Sequence, residues 1–205
     1  MLIFVLIPSA KANDHSFESW NKKQFEKENP CRHNMTESKI LLNGVDEGIK
    51  IVISSLVTGA ESPSMVLESI QNVFPDFVSE LVTEEPTFGS PVNVVFKQED
   101  VSLNQFLAMI HKQAILDTAL DMMSINLDDN HTYFEILRQA SIANKIAFNL
   151  DGQNPLGGVI KIELSGEDLP AWIEAATWHK GRDVVPRKVN DERMMNVDGD
   201  ASTWH

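Results

Sequence analysis

Asp128, Asp129 and His131 stand almost side by side in the chain, and His111 lies upstream of them. Carboxylates and imidazoles ligate zinc and move protons near neutral pH. These four residues therefore form the constellation best suited to a small metal-dependent hydrolase. The competing reading is positional. Acidic residues are favoured where a helix begins, because that end is electropositive, and Asp128 to His131 precede a predicted helix. His111 follows Ile110 at the edge of an apolar face, where a half-exposed residue belongs. On this reading the chain has no catalytic residue, no metal ligand and no cofactor. Gly157-Gly158 leads into a strand and not a helix, so it is no phosphate loop, and neither a nucleophile elbow nor a His-Glu-x-x-His motif is present. Cys31 is the sole cysteine, which excludes an intrachain disulfide.

The elements that would position these residues are read from periodicity. Val92, Val94 and Phe96 alternate as a strand. Ser102 and Gln105 then make a capping box for a helix with Leu103, Phe106, Leu107, Ile110 and Ala114 on one face. Ile125 and Leu127 alternate next, and Thr132 with Glu135 makes a second capping box for a helix carrying Tyr133, Ile136, Leu137 and Ala140. Ser102 and Thr132, Phe106 and Ile136, and Leu107 and Leu137 are each thirty residues apart, which predicts two copies of a strand-helix unit. Ile115 to Thr118 reads as a short strand between them. Ile146, Phe148 and Leu150, then Ile160, Ile162 and Leu164, predict a hairpin with a long loop. The expected fold is α+β, a small sheet covered by two helices in the order β-α-β-β-α-β-β across 92–164.

The flanks are read in the same way. Val45, Ile49, Val52, Ile53 and Leu56 fall at helical spacing, although Ile49, Ile51 and Ile53 also suit a strand. Ser62-Pro63 opens a further helix bearing Val66, Leu67, Ile70, Val73 and Phe74, so 13–85 is expected to be mainly helical. Pro86, Gly89 and Pro91 mark the boundary before the sheet. Asp168 and Pro170 start a last helix with Leu169, Trp172, Ile173 and Ala176. Arg182 to His205 lacks periodicity, so 165–205 is expected to be a short helix and a disordered tail.

The order of elements across 92–164 resembles the short N-terminal domain shared by secretins and TonB-dependent receptors. Val92 to Phe96 with Asp100 to Leu103 and Phe106-Leu107 is similar to its first half. Ser124 to Leu127, Thr132 to Leu137, Lys145 to Asp151 and Val159 to Ile162 are similar to its second half. The resemblance implies a periplasmic, non-catalytic docking module for envelope assembly, transport or signalling.

Address and charge bear on the partner. Met1 to Ala12, an apolar run ending Ala10-Lys11-Ala12, reads as a signal-peptide remnant, with a buried N-terminal strand as the alternative. A secreted or periplasmic location follows from the first reading. No other stretch is apolar for long enough to predict a membrane span. The net charge is −13, and Asn43 to Asn130 holds fourteen acidic residues against Lys50, Lys97 and Lys112. Such a surface repels phosphate backbones, so the expected partner is a protein and not nucleic acid. It would also suit a secreted acidic inhibitor or immunity-type protein facing a basic partner. A small sheet leaves an unpaired strand able to accept a partner's strand. The candidate edge is Val92, Val94 and Phe96, or Ile160, Ile162 and Leu164. The oligomeric state is left open.

Overall fold

The computed structural model describes residues 42–79, 85–87, 91–150 and 152–191. The proposed signal remnant and the segment 13–41 lie outside these residues. The fold is α+β. Four antiparallel strands form one sheet: β1 (Lys50–Gly59), β2 (Val92–Glu99), β3 (His131–Leu137) and β4 (Val159–Ser165), in spatial order β2-β1-β4-β3. The helices are α1 (Pro63–Gln71), α2 (Asn104–Gln113), α3 (Leu116–Ser124), the short α4 (Arg138–Ile142) and α5 (Leu169–Ala176), followed by a 3-10 turn at Lys180–Asp183.

β1 is central to the sheet, although its residues fall in the region expected to be helical. Ile51, Ile53, Ser55 and Val57 are buried and their neighbours face outward, the period of a strand. β-branched side chains crowd a helix and pack well on a pleat, so the period-two reading of Ile49, Ile51 and Ile53 prevails over the helical one. The sheet therefore begins at Lys50, not at Val92. α1 starts as read from sequence. Ser62 accepts a hydrogen bond from the Met65 amide at 3.4 Å, and Pro63 sits in the first turn.

The thirty-residue repeat is not a structural repeat. Residues 104–113 form α2 as expected, but Thr132 to Leu137 form β3, not a second helix. Thr132, Phe134 and Ile136 are buried while their neighbours are not. The Thr132 hydroxyl, expected to cap a helix, donates instead to the Met123 carbonyl at 2.7 Å. Only Arg138–Ile142 of that predicted helix is helical. Conversely, the short strand expected at Ile115 to Thr118 is the start of α3, whose buried Leu116, Ala119, Leu120 and Met123 follow the helical period. The hairpin is also different. Residues 146–149 run along β3 with a bridge between Ile136 and Phe148, while β4 pairs with β1 and β3.

The inner sheet face and the helices enclose one core. At its centre, rings of Phe74, Phe106, Phe134 and Phe148 pack in series, with neighbouring centroids 5.7–6.4 Å apart. Arg182 to Asp191 is not a disordered tail. Arg182 and Arg187 bind Asp117 and Asp121 on α3, and Val189 packs on the core.

Arg138 completes the sheet where its ladder opens. β1 and β4 stay paired only as far as Ser54 and Lys161. Beyond that point Arg138 donates to the carbonyls of Leu56 and Gly157 and to the Glu61 carboxylate, and the Ser55 hydroxyl donates to the Val159 carbonyl. The Arg138 side chain is 5% exposed. Gly158, at φ +71°, lies so close that a Cβ there would meet the guanidinium. Arg138→Met removes the donor to two carbonyls and the buried cation beside the Glu61 carboxylate, which keeps the Thr58 amide. It is expected to lower the free energy of unfolding by about 3 kcal/mol, read as an earlier midpoint in urea; an unchanged midpoint would contradict this role.

Candidate functional site

The two outer strands of the sheet, β2 and β3, end differently. The Asp100 amide donates to the Ile51 carbonyl at 2.8 Å, one step beyond the register Val52 to Glu99. In an antiparallel pair the residues directed at the neighbour alternate. The even-numbered residues of β2 therefore aim their backbone groups at β1, and Asn93, Val95, Lys97 and Glu99 aim theirs outward.

On β3 the outward residues are His131, Tyr133, Glu135 and Leu137, and each is engaged. His131 and Asp128 exchange two backbone hydrogen bonds of 2.8 Å. The Tyr133 carbonyl accepts from the Asn126 side chain at 3.2 Å. The Glu135 carbonyl accepts from the Asn149 amide and the Leu137 amide donates to Ala147, both at 2.9 Å. The edge of β3 is thus closed by the segment 146–149 and by Asn126. Among the described residues β2 pairs with β1 alone, and no turn or side chain bonds its outward row.

Val92, Val94 and Phe96 accordingly lie in an edge strand, although Phe96 turns its ring into the core. Ile160, Ile162 and Leu164 do not. They are buried in β4, which is paired on both sides, so the alternative edge is corrected. Sequence reasoning selects the half of the β2 alternation that carries Phe96 inward, whereas the residues presenting both backbone and side chain are Asn93, Val95, Lys97 and Glu99. The signal for them is the more polar and exposed half of the same alternation.

The exposed positions of the strands share the face opposite the core. Along β2 this face divides into an apolar and a charged end. Val95 is 51% exposed and lies in register with Leu56, itself 52% exposed. Toward the other end Glu99 lies between Lys50 at 2.9 Å and Lys97 at 3.9 Å. The hydrogen bond from Lys50 is the main cause holding the Glu99 carboxyl below its ordinary value. Lys161 binds Glu163 and stands 4.8 Å from the centre of the Tyr133 ring.

The residues singled out for chemistry are deployed structurally. Asp128, Asp129 and His131 form the tight turn into β3, with Asp129 in the left-handed conformation at φ 41°. Among the described residues no three His, Cys, Asp or Glu side chains are grouped to hold a metal. His111 instead borders a cleft of about 240 Å³ with Asp117, Thr118 and His179, where α2 turns into α3. There Asp117 binds His179 Nε2 at 3.0 Å and Arg182 Nε at 3.2 Å, and His179 Nδ1 accepts the Gly181 amide at 3.1 Å. Both ring nitrogens of His179 are thus engaged, Nε2 with Asp117 and Nδ1 with the Gly181 amide. Arg182 also donates to the Leu116 and Glu174 carbonyls and to the Thr177 hydroxyl, which fastens the 3-10 turn to α3 and α5.

No family model matches the chain. It is 31% identical over 128 residues to the UPF0201 protein of Sulfurisphaera tokodaii, covering 62% of this chain and 86% of that protein. The UPF0201 protein of Methanothermobacter thermautotrophicus is 27% identical over 142 residues, 69% of this chain and 98% of its own length. A UPF0200/UPF0201 protein of Archaeoglobus fulgidus is 26% identical over 172 residues, 80% of this chain but 50% of that longer protein. The crystal structure of a UPF0201 protein from Methanococcus jannaschii has the same fold, with a TM-score of 0.53 and 20% identity over 64% of this chain and 96% of that one.

These findings overturn the resemblance to secretin and TonB-dependent receptor domains across 92–164. The relatives are archaeal proteins, and archaea have no periplasm, so the periplasmic and envelope expectations fall with it. Nothing in the relatives supports the small metal-dependent hydrolase or the secreted inhibitor. The signal-peptide reading of Met1 to Ala12 has no support from them either. No helix among the described residues is long and apolar enough to cross a membrane.

The Asp117 cluster should be visible in acid. Partial burial opposes ionisation of its carboxyl, but the hydrogen bonds from His179 and Arg182 outweigh it and hold the group below its ordinary value of 3.8. A carboxyl depressed by folding stabilises the protein above its unfolded value, and that contribution is lost as pH falls through the folded one. Asp117→Asn is therefore expected to be less stable than the parent at pH 7 and to lose less stability below about pH 4, as followed by urea midpoints; parallel curves would contradict the coupling.

Proposed function

Since this chain belongs to the UPF0201 family, we propose that it is a non-catalytic binding subunit for a UPF0200 protein. The observation that carries the reading is the Archaeoglobus fulgidus relative. That protein bears both family names, and the match to this chain covers 50% of it. Joining two modules in one polypeptide raises their effective concentration for each other. Where the modules are separate chains, the same association requires a complementary surface.

The geometry supports a role without chemistry of its own. His179 has both nitrogens engaged, Asp117 serves two donors, and Asp128 to His131 serve a turn. The open row along β2 supports a protein partner, to which a strand can be added through main-chain bonds. The net charge of −13 supports that partner over nucleic acid.

Titration calorimetry of the full chain with the UPF0200 protein of the same organism is the test. A complex of fixed stoichiometry is expected, with a dissociation constant of about 10 µM or tighter. No heat and no co-elution at concentrations well above that value would refute the reading.

A further inference from the structure

Among the described residues the outward row of β2 is unpaired, and its sequence fits itself. We infer that a second copy of this chain pairs with β2 across a two-fold axis centred on Val95, joining two four-stranded sheets into one of eight strands. The outward row consists of Asn93, Val95, Lys97 and Glu99, as fixed by the alternation of hydrogen bonds to β1. Centring the axis on Val95 sets Val95 opposite Val95 of the second copy and Asn93 opposite its Lys97. Each such pair exchanges two main-chain hydrogen bonds. Directly opposite residues in an antiparallel pair share a face, so Val95 and Leu56 of both copies make one continuous apolar row. The contact covers part of Val95, 51% exposed, and extends the apolar row that Leu56, 52% exposed, begins on β1.

Neighbouring registers are worse. Centring on Phe96 puts Lys97 against Val95, and centring on Lys97 sets two like charges face to face, which destabilises a pair. Shifting toward the strand's start brings Pro91 into the ladder, where it has no amide to donate. In the Val95 register Pro91 falls opposite Glu99, at the end of the strand, and stops the pairing there. The other end of the sheet cannot compete, because all four outward residues of β3 are already engaged.

This pairing takes up the same row that supports the UPF0200 reading, so the two compete for it, and the pairing is tested on this chain alone. Sedimentation velocity of the full chain over a concentration series should give a species of twice the 23.0 kDa of one chain. Val95→Glu places two carboxylates together on the axis. Asn93→Lys sets an introduced ammonium against Lys97 of the other copy, twice across the axis. Each is expected to weaken the dimer at least about tenfold while leaving the thermal midpoint of the dilute protein unchanged. Asn93→Lys combined with Lys97→Glu restores opposite charges and should recover the dimer. A monomer at every concentration, or a dimer indifferent to both single substitutions, would overturn the pairing. So would failure of the double variant to recover it when both single variants are folded.

Discussion

Every backbone N–H and C=O taken from water must find a partner, and this requirement shapes the molecule more than any single contact. The sheet meets it in three different ways. In the interior, β1 and β4 are paired on both sides. Where their ladder parts beyond Ser54 and Lys161, Arg138 and Ser55 supply the missing donors. At β3 a loop and one asparagine side chain close the edge. At β2 no partner for the outward row is found among the described residues.

That asymmetry gives the fold its polarity. Helices and the aromatic series cover one face, so among the described residues the other face and the β2 edge are what the sheet presents. The titratable groups that looked able to react are occupied in holding the chain together. Asp117 and Asp121, one helical turn apart on α3, anchor Arg182 and Arg187 of the C-terminal segment. Asp128 to His131 reverse the chain so that β3 can lie beside β4. Among the described residues, this surface presents unpaired main-chain groups and a small apolar row flanked by charge.

The fold class is legible in the sequence because alternation marks strands wherever β-branched and aromatic residues supply it. β2, β4, α1, α2 and α5 fall where the pattern places them. β3 reads as a helix because Thr132 and Glu135 mimic a helix start, and because Tyr133, Ile136 and Leu137 fit a helical face as well as a strand. What decides between the two is tertiary: the Met123 carbonyl that receives the Thr132 hydroxyl, and β4 alongside. α3 is hidden for the opposite reason, since Ile115 to Thr118 reads as a strand and Ala119, Leu120, Met122 and Met123 fall between it and the supposed strand at Ile125 and Leu127. The roles of Arg138 and Arg182 have no local signal, because the carboxylates they bind, Glu61 and Asp117, lie far away in sequence. The open edge is half legible: alternation reveals the strand, but which of its residues face outward depends on the register with β1.

Backbone amide exchange, followed residue by residue in dilute solution, tests the unequal edges most directly. Exchange of the Leu137 amide should be slow, like that of the central strands, because it is bonded to Ala147. The amides of Val95 and Lys97 should exchange quickly in the dilute protein and slow down as the concentration rises. If Val95 and Lys97 are as protected as Leu137 at every dilution, or if Leu137 exchanges as fast as they do, the two edges are alike and β2 is not the open side of the sheet.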